Sequence, residues 1–538
     1  MTISQSAIFN PDTLRVVLRD STDSGINVKG DNLVLDFKGA VIDGRKNPTS
    51  PDQFIGTGLT IEGKNITIRN LTIHGFKFAL LAEDVDSLKL ENCNFSYNYR
   101  QRLGSTREKE DLNDWLYYHH NESNEWKRYG AAIYLKNCDH ALIRDVKVQQ
   151  GQNGIMLTNC HNALIYNNNI SFNSGIGIGL YRSSDNRIMH NNLNFNVRGY
   201  SHGIYQRGQD SAGILAYEQS SNNIFAFNSA THSGDGFFLW AGQHTMDSGE
   251  GGCNNNLIYE NDFSYAPTNG IEVTFSANYL INNTMKECRY GIWGGYSFES
   301  LISGNKISDC QYGIAIEQGN KNIIEENHLE NLETGIKLWA RDKQPEGWGF
   351  AEKRDVSSRD YVIAKNVITD VDSAYDITET TSVVFSENII DGTTEEKDMH
   401  VDRALPMDLP TPLQDGKNVI NKDPELDGRK FIIVNEWGPY NFEYPFVWLR
   451  TMEKDKYIFV MFGPVGNWKI SNAENFVDGS LKSGTFPNTL TATRINPEQS
   501  GSINFEFIGQ SFVDQFGHRY KKGIPFHFSF QESQQSDI

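Results

Sequence analysis

Asp235 opens the apolar segment GDGFFLWAG (234–242), and Glu272 lies in NGIEVT (269–274). Two carboxylic side chains among aromatic residues are what acid–base cleavage of a glycosidic bond requires. Glu272 is the sharper candidate, because a carboxyl held between apolar neighbours loses solvation, and the resulting rise in pKa suits a general acid. Asp210 and His202, in VRGYSHGIYQRGQDS (197–211), form a second titratable group, and His232 stands just before Asp235. Tyr181, Tyr217, Phe238, Trp240 and Trp293 offer flat faces for pyranose rings, with His232, Arg182 and Glu218 as polar contacts at the edges. Arg182 and Glu218 can equally satisfy one another as an ion pair. No HExxH, no CxxC pair and no phosphate-cradling glycine loop before a helix is present, so zinc, redox and nucleotide chemistry have no anchor. No cofactor is called for; calcium in an Asp-rich turn such as DSGEGG (247–252) is the one metal reading left open.

Whether these residues meet depends on the elements that carry them, and the chain repeats. ALIYNNNISFNSGIGIGL (163–180), NLIYENDFSYAPTNGIEV (256–273) and SLISGNKISDCQYGIAI (300–316) share an alternating segment, an asparagine, a second alternating segment, a small turn, then Gly-Ile and a third. The marker asparagines Asn168, Asn191, Asn228, Asn261, Asn283, Asn305, Asn327, Asn366 and Asn388 recur at 22 or 23 residues, with three longer gaps of 37, 33 and 39 where a coil carries an insertion. Three short strands per repeat of about 22 residues describe a right-handed, single-stranded parallel β-helix, with coils stacked at about 4.8 Å. Asparagine at one phase tolerates a left-handed turn and can bond its amide to the next coil. Cys138 and Cys160, like Cys288 and Cys310, share a phase and are expected as stacked, buried thiols.

Coils aligned on the glycine that opens the third strand place the next residue inward and the residues two and four later outward. The first outward column reads Met156, Gly179, Leu215, Phe238, Glu272, Trp293, Ala315, Lys337; the second reads Thr158, Tyr181, Tyr217, Trp240, Thr274, Gly295, Glu317, Trp339. Glu272 thus falls between Phe238 and Trp293. Asp235 sits one coil back and three residues earlier, about 11 Å away backbone to backbone, close enough for the two carboxyls to converge. Insertions at 98–128 and 197–211 precede this sheet, and those at 242–253 and 341–358 follow it, so loops should wall an aromatic-lined cleft.

These repeats resemble the pectin-lyase-like superfamily, and within it the carbohydrate-binding and sugar-hydrolase type of repeat, over residues 30–400. The resemblance implies a β-helix whose loop-flanked face takes carbohydrate; the superfamily includes hydrolases, lyases, epimerases and non-catalytic proteins. A glycoside hydrolase with Glu272 and Asp235 as its carboxylate pair is the leading expectation, and Asp210 with His202 is the alternate. A polysaccharide lyase or uronate epimerase would need cations, and the outward columns offer few, Lys136 and Lys337 with Arg182 at one edge. A non-catalytic carbohydrate-binding protein is the third reading.

The chain is acidic, 49 Lys plus Arg against 68 Asp plus Glu for a net charge of −19, which repels nucleic acid and anionic membranes. The sequence has no apolar run long enough to span a bilayer. A periplasmic or extracellular protein without its signal peptide is expected; the oligomeric state is open. Beyond the helix (1–403), residues 404–428 are Pro-rich and read as a linker, and 429–538 alternate as a small antiparallel β-sandwich-like domain.

Overall fold

A computed structural model describes the chain apart from residues 46–49, 106–110, 115, 117–119, 199–210, 395–407, 414–417, 421–425, 433, 436, 440–446, 454, 479–481, 497, 510–523 and 531–538. Up to residue 394 the backbone winds as a right-handed parallel β-helix, each coil adding a strand to long parallel sheets. The sheet that carries the candidate residues includes Ile176–Tyr181, Ala212–Tyr217, Asp235–Trp240, Asn269–Thr274, Tyr290–Trp293 and Tyr312–Glu317. A second sheet of fourteen strands runs from Ala7–Ile8 to Thr381–Ser386.

In-register pairing stacks like upon like. Ile214, Phe237, Ile271, Ile292, Ile314 and Ile336 pair in succession and form one fully buried inward ladder. Branched side chains fill a pleated, enclosed surface well, which is why isoleucine dominates the core.

The marker asparagines also face inward and are buried. Each amide Nδ2 donates to the Oδ1 of the next, as in Asn228 to Asn261 at 3.0 Å and Asn261 to Asn283 at 3.0 Å, and again to a main-chain carbonyl. The left-handed turn is taken not by the asparagine, as expected, but by the residue before it: Asn167, His190, Phe227, Glu260, Asn282, Glu326, Lys365 and Glu387 all have positive φ. The inward amide gives that turn its hydrogen bonds, so the strained position itself accepts many residue types.

The six cysteines are free and buried. The Cys138 and Cys288 amides donate to Cys160 Sγ (3.4 Å) and Cys310 Sγ (3.3 Å), the stacked arrangement expected.

The segment after the helix is docked rather than free. The Leu413 amide donates to His190 Nε2 (3.0 Å), Asp427 accepts from Tyr265, the Arg429 amide donates to Glu287 Oε2 (3.2 Å), and Ile432 and Val434 pack on Phe195 and Val197. The expected sandwich takes the form of one antiparallel sheet whose longest strand, Lys456–Glu474, serves two halves. Its first part pairs with Val447–Glu453 and its last with Gly501–Gly509, around a core that includes Phe459, Trp468 and Phe505.

Asn261→Ala would strand the Asn228 amide (2.9 Å) and remove one of the two bonds of the Asn228 Nδ2 and a donor to the Phe225 carbonyl, all in the core. A loss of at least about 2 kcal/mol is expected from denaturant unfolding; a change below about 0.5 kcal/mol would show that the amide ladder does not hold the coils.

Candidate active site

The outward columns are set by the glycines. A Cβ at Gly236 would lie 2.5 Å from Phe263 Cβ and 2.6 Å from the Gly270 carbonyl, and one at Gly177 would lie 2.4 Å from the Gly213 carbonyl. Glycine therefore faces the core, as does the residue after it. Two consecutive inward residues shift the alternation, so the residue before each glycine faces outward too. Asp235 is the first residue of its strand and shares the outward face with Phe238. Phe238, Glu272 and Trp293 are paired across three successive coils.

Asn269 joins the two carboxyls. Its main-chain N–H donates to Asp235 Oδ1 at 2.9 Å, and its side-chain Nδ2 donates to Glu272 Oε2 at 2.7 Å. Asp235 is fully buried and Glu272 partly exposed. Asn153 occupies the position of Asp235 in an earlier coil and makes the same bond, accepting the Ile176 amide at 3.0 Å. That bond therefore needs an oxygen but not a charge, and the coils with Ile176 and Ala212 at this position do without it. Burial first, and then the charge of Asp235, hold the Glu272 carboxyl well above the usual carboxylate range.

The aromatic face divides in two. Tyr181, Tyr217 and Phe238, expected to stack on sugar, are sealed with Tyr134 and Met156 beneath Leu116, Trp126 and Tyr129 of the first insertion. Trp126 meets Tyr181 edge-on at 5.4 Å, and Asn121 Nδ2 reaches Tyr134 Oη (3.1 Å) and Thr158 Oγ1 (2.9 Å). Closing the insertion over these rings removes more apolar surface from water than leaving a cleft, so they form a satellite core. Glu218 is buried too, its pKa pushed up by that burial. Arg182 bonds Glu122 Oε1 (2.7 Å) and lies 3.5 Å from Glu218 Oε1, so both serve an ion-pair network that closes the insertion. Trp240 lies half-buried at the trailing edge, against Tyr217 and the core formed by the helices Gln243–Ser248 and Gly349–Lys353.

His232 is another correction. Its ring stacks between Phe195 (4.3 Å) and Tyr265 (4.6 Å), and its Nε2 lies 3.2 Å from the Gly428 carbonyl. The docked segment has buried it, and burial brings its pKa down to about 4. His202 and Asp210 lie outside the described residues.

Beyond Glu272 the face stays open. Tyr290, Trp293, Tyr312, Lys337 and Trp339 are all partly exposed. Tyr290 stacks on Tyr312 at 4.9 Å, and Trp293 leans on Trp339 at 5.5 Å. Trp339 Nε1 donates to the buried Glu317 (3.0 Å), which also binds Arg341 through both oxygens, and this fixes the indole plane. Lys337 Nζ lies 5.6 Å from the ring centres of Tyr312 and Trp339 and pairs with Asp376. Asn269, Tyr290 and Tyr312 were missed from sequence because each precedes its glycine, and the columns were begun after it.

Trp126→Ala should cost about 3–5 kcal/mol in denaturant unfolding, and Trp293→Ala less than about 1.5 kcal/mol. Equal costs would contradict a sealed half and an open half.

Among the described residues no group of three or more His, Cys, Asp or Glu side chains could hold a metal ion. The model of the family described as periplasmic copper-binding protein (NosD) matches residues 10–194, 111–265 and 208–345, together more than half of the chain. Among the described residues the copper in that description finds no donor set: the thiols are core residues bonded to main-chain carbonyls, and burial holds Cys93 and Cys253 up at about 12. No curated protein matches the sequence at a significant level. Among solved structures, the chain is similar to the periplasmic alginate epimerase AlgG, at 14% identity over 70% of this chain and 78% of that one, TM-score 0.41. It is also similar to the mannuronan C-5 epimerase AlgE6 A-module of Azotobacter vinelandii (12%, 72% and 91%, 0.37). A third likeness is to the DFA-IIIase of Arthrobacter chlorophenolicus A6 in complex with GF2 (12%, 59% and 71%, 0.35). Likenesses this remote say nothing of the chemistry at a given residue. The matched repeats from residue 10 to residue 345, and the parallel β-helix they build, make this chain a member of the NosD family.

Proposed function

We propose that the protein is a carbohydrate-active enzyme of the periplasm or cell exterior, a glycoside hydrolase in which Glu272 is the general acid. The periplasm in the family's description and the want, among the described residues, of any helix able to cross a membrane are consistent with that place. The observation that carries the activity is the Asp235–Asn269–Glu272 unit at the edge of the open aromatic surface. Pyranose rings lie on Tyr290, Trp293, Tyr312 and Trp339 through their apolar faces. Glu272, kept protonated by burial and by Asp235, donates its proton to the glycosidic oxygen as that bond to the anomeric carbon breaks. Water adds at the anomeric carbon and releases its proton to solvent. Proton loss leaves two adjacent carboxylates, so reprotonation of Glu272 from solvent is favourable. Asp235 is buried, and its part is to hold the proton on Glu272 rather than to touch substrate.

Hydrolysis is preferred to uronate chemistry because Lys337 and Arg341 are already tied to Asp376 and Glu317. Arg289, whose guanidinium lies 5.3 Å from the centre of the Tyr290 ring, is the cation that would support the second reading, a lyase or epimerase acting on a uronate.

A panel of neutral and acidic polysaccharides, followed by reducing ends and by unsaturated-uronate absorbance, tests the proposal. Reducing ends from a neutral glycan are expected, with Glu272→Gln lowering kcat by about 10²–10⁴-fold and Trp293→Ala acting chiefly on KM. Unsaturated or epimerised products, or binding without turnover, would overturn it.

The pH dependence has a definite sign. The folded-state pKa of Glu272 is raised, so its contribution to stability is complete below the unfolded carboxylate pKa and is lost as pH rises through the folded value. Glu272→Gln should therefore raise the unfolding midpoint relative to the parent at neutral and alkaline pH, and not near pH 4. Activity should fall on the alkaline side, and Asp235→Asn should move that fall to lower pH. An alkaline limb indifferent to Asp235 would contradict the assignment.

A further inference from the structure

We propose that Asn269 is a positioning residue that selects which oxygen of Glu272 carries the acidic proton. The inference rests on Glu272 being the acid. An amide nitrogen can only donate, so the oxygen that it faces must accept. Nδ2 of Asn269 lies 2.7 Å from Glu272 Oε2. In the neutral carboxyl Oε2 is therefore the carbonyl oxygen, and the proton sits on Oε1, free of the asparagine.

Three further features support the role. Asn269 is itself buried, so no solvent competes for its amide. Its main chain is fixed on both sides, by the bond from its N–H to Asp235 Oδ1 and by pairing with Tyr290 on the next coil. The residue type also matters. An aspartate here would accept rather than donate, drawing the Glu272 proton onto Oε2 and placing a third carboxyl in the cluster; a hydroxyl could donate or accept and would select neither oxygen. Around Glu272, the adjoining coils present Phe238 and Trp293 in its own column, and Asp235 is the charged group that acts on it. The asparagine thus opposes Asp235 in part: it offers the ionised Glu272 a donor, where Asp235 offers it repulsion.

The test needs no substrate. Unfolding midpoints are measured across pH for the parent, Glu272→Gln, Asn269→Ala and the double variant, so that each pair differs by Glu272 alone. The gap between the members of a pair is expected to grow larger and to level off at higher pH in the Asn269→Ala background, because ionised Glu272 has lost its donor and its folded-state pKa rises further. A purely structural asparagine would lower both midpoints and leave the size of the gap and the pH at which it levels off unmoved, which would overturn the inference. If the parent and Glu272→Gln keep the same gap at every pH, the reading of Glu272 itself fails and this inference with it. Where Asn269→Ala does not fold, Asn269→Asp has the same shape and should enlarge the gap and shift its plateau the same way. On a cleaved substrate, Asn269→Asp should lower kcat by about 10²-fold with KM within about threefold; parent-like kcat in that variant would also overturn it.

Discussion

The positions of the β-helix side chains are fixed by the vertical register of one coil on the next. The inward asparagine amides enforce it, each bonding the amide of the next coil at about 3 Å and a main-chain carbonyl as well. A coil rotated by one residue would break those bonds and exchange inside for outside. The glycine at the start of most of these strands adds the second constraint, since its carbonyl neighbour leaves no room for a Cβ. Together they turn the residue before the glycine outward, and at one rung that residue is Asp235, with Asn269 and Glu272 on the next.

Within that frame the chemistry comes from unequal burial. A buried carboxylate is costly unless paired or hydrogen-bonded, and two of them on adjacent rungs cannot both ionise freely. The earlier coil solves the same structural problem with Asn153, so the charge at Asp235 is an addition to the scaffold rather than part of it. Its effect falls on Glu272. The first insertion seals the aromatic face on one side of this pair, while on the other side Glu317 and Arg341 hold Trp339 in an open surface. The carboxyl therefore sits where a closed, low-dielectric region meets exposed rings.

Much of this was legible in the sequence because a period of about 22 residues leaves few folds open, and the Phe238–Glu272–Trp293 column followed from counting after the glycine. Counting failed where sterics altered the alternation: Asn269, Tyr290 and Tyr312 face outward only because glycine turns in. It also failed where distant segments meet. Nothing local in Tyr181 or Tyr217 announces that Trp126 covers them, nor in His232 that residue 428 does. An aromatic column reads the same under solvent, sugar or a folded-back loop, and only the long-range packing decides.

The central claim is that burial, and then the charge of Asp235, hold the Glu272 carboxyl above the ordinary carboxylate range, where it can serve as an acid. Carboxyl-carbon NMR of protein labelled at glutamate, with Glu272→Gln to assign the resonance, measures this directly. The account predicts a Glu272 titration well above the ordinary carboxylate range, moved downward in Asp235→Asn. A Glu272 resonance that titrates with the surface glutamates, or one that Asp235→Asn leaves in place, would contradict it.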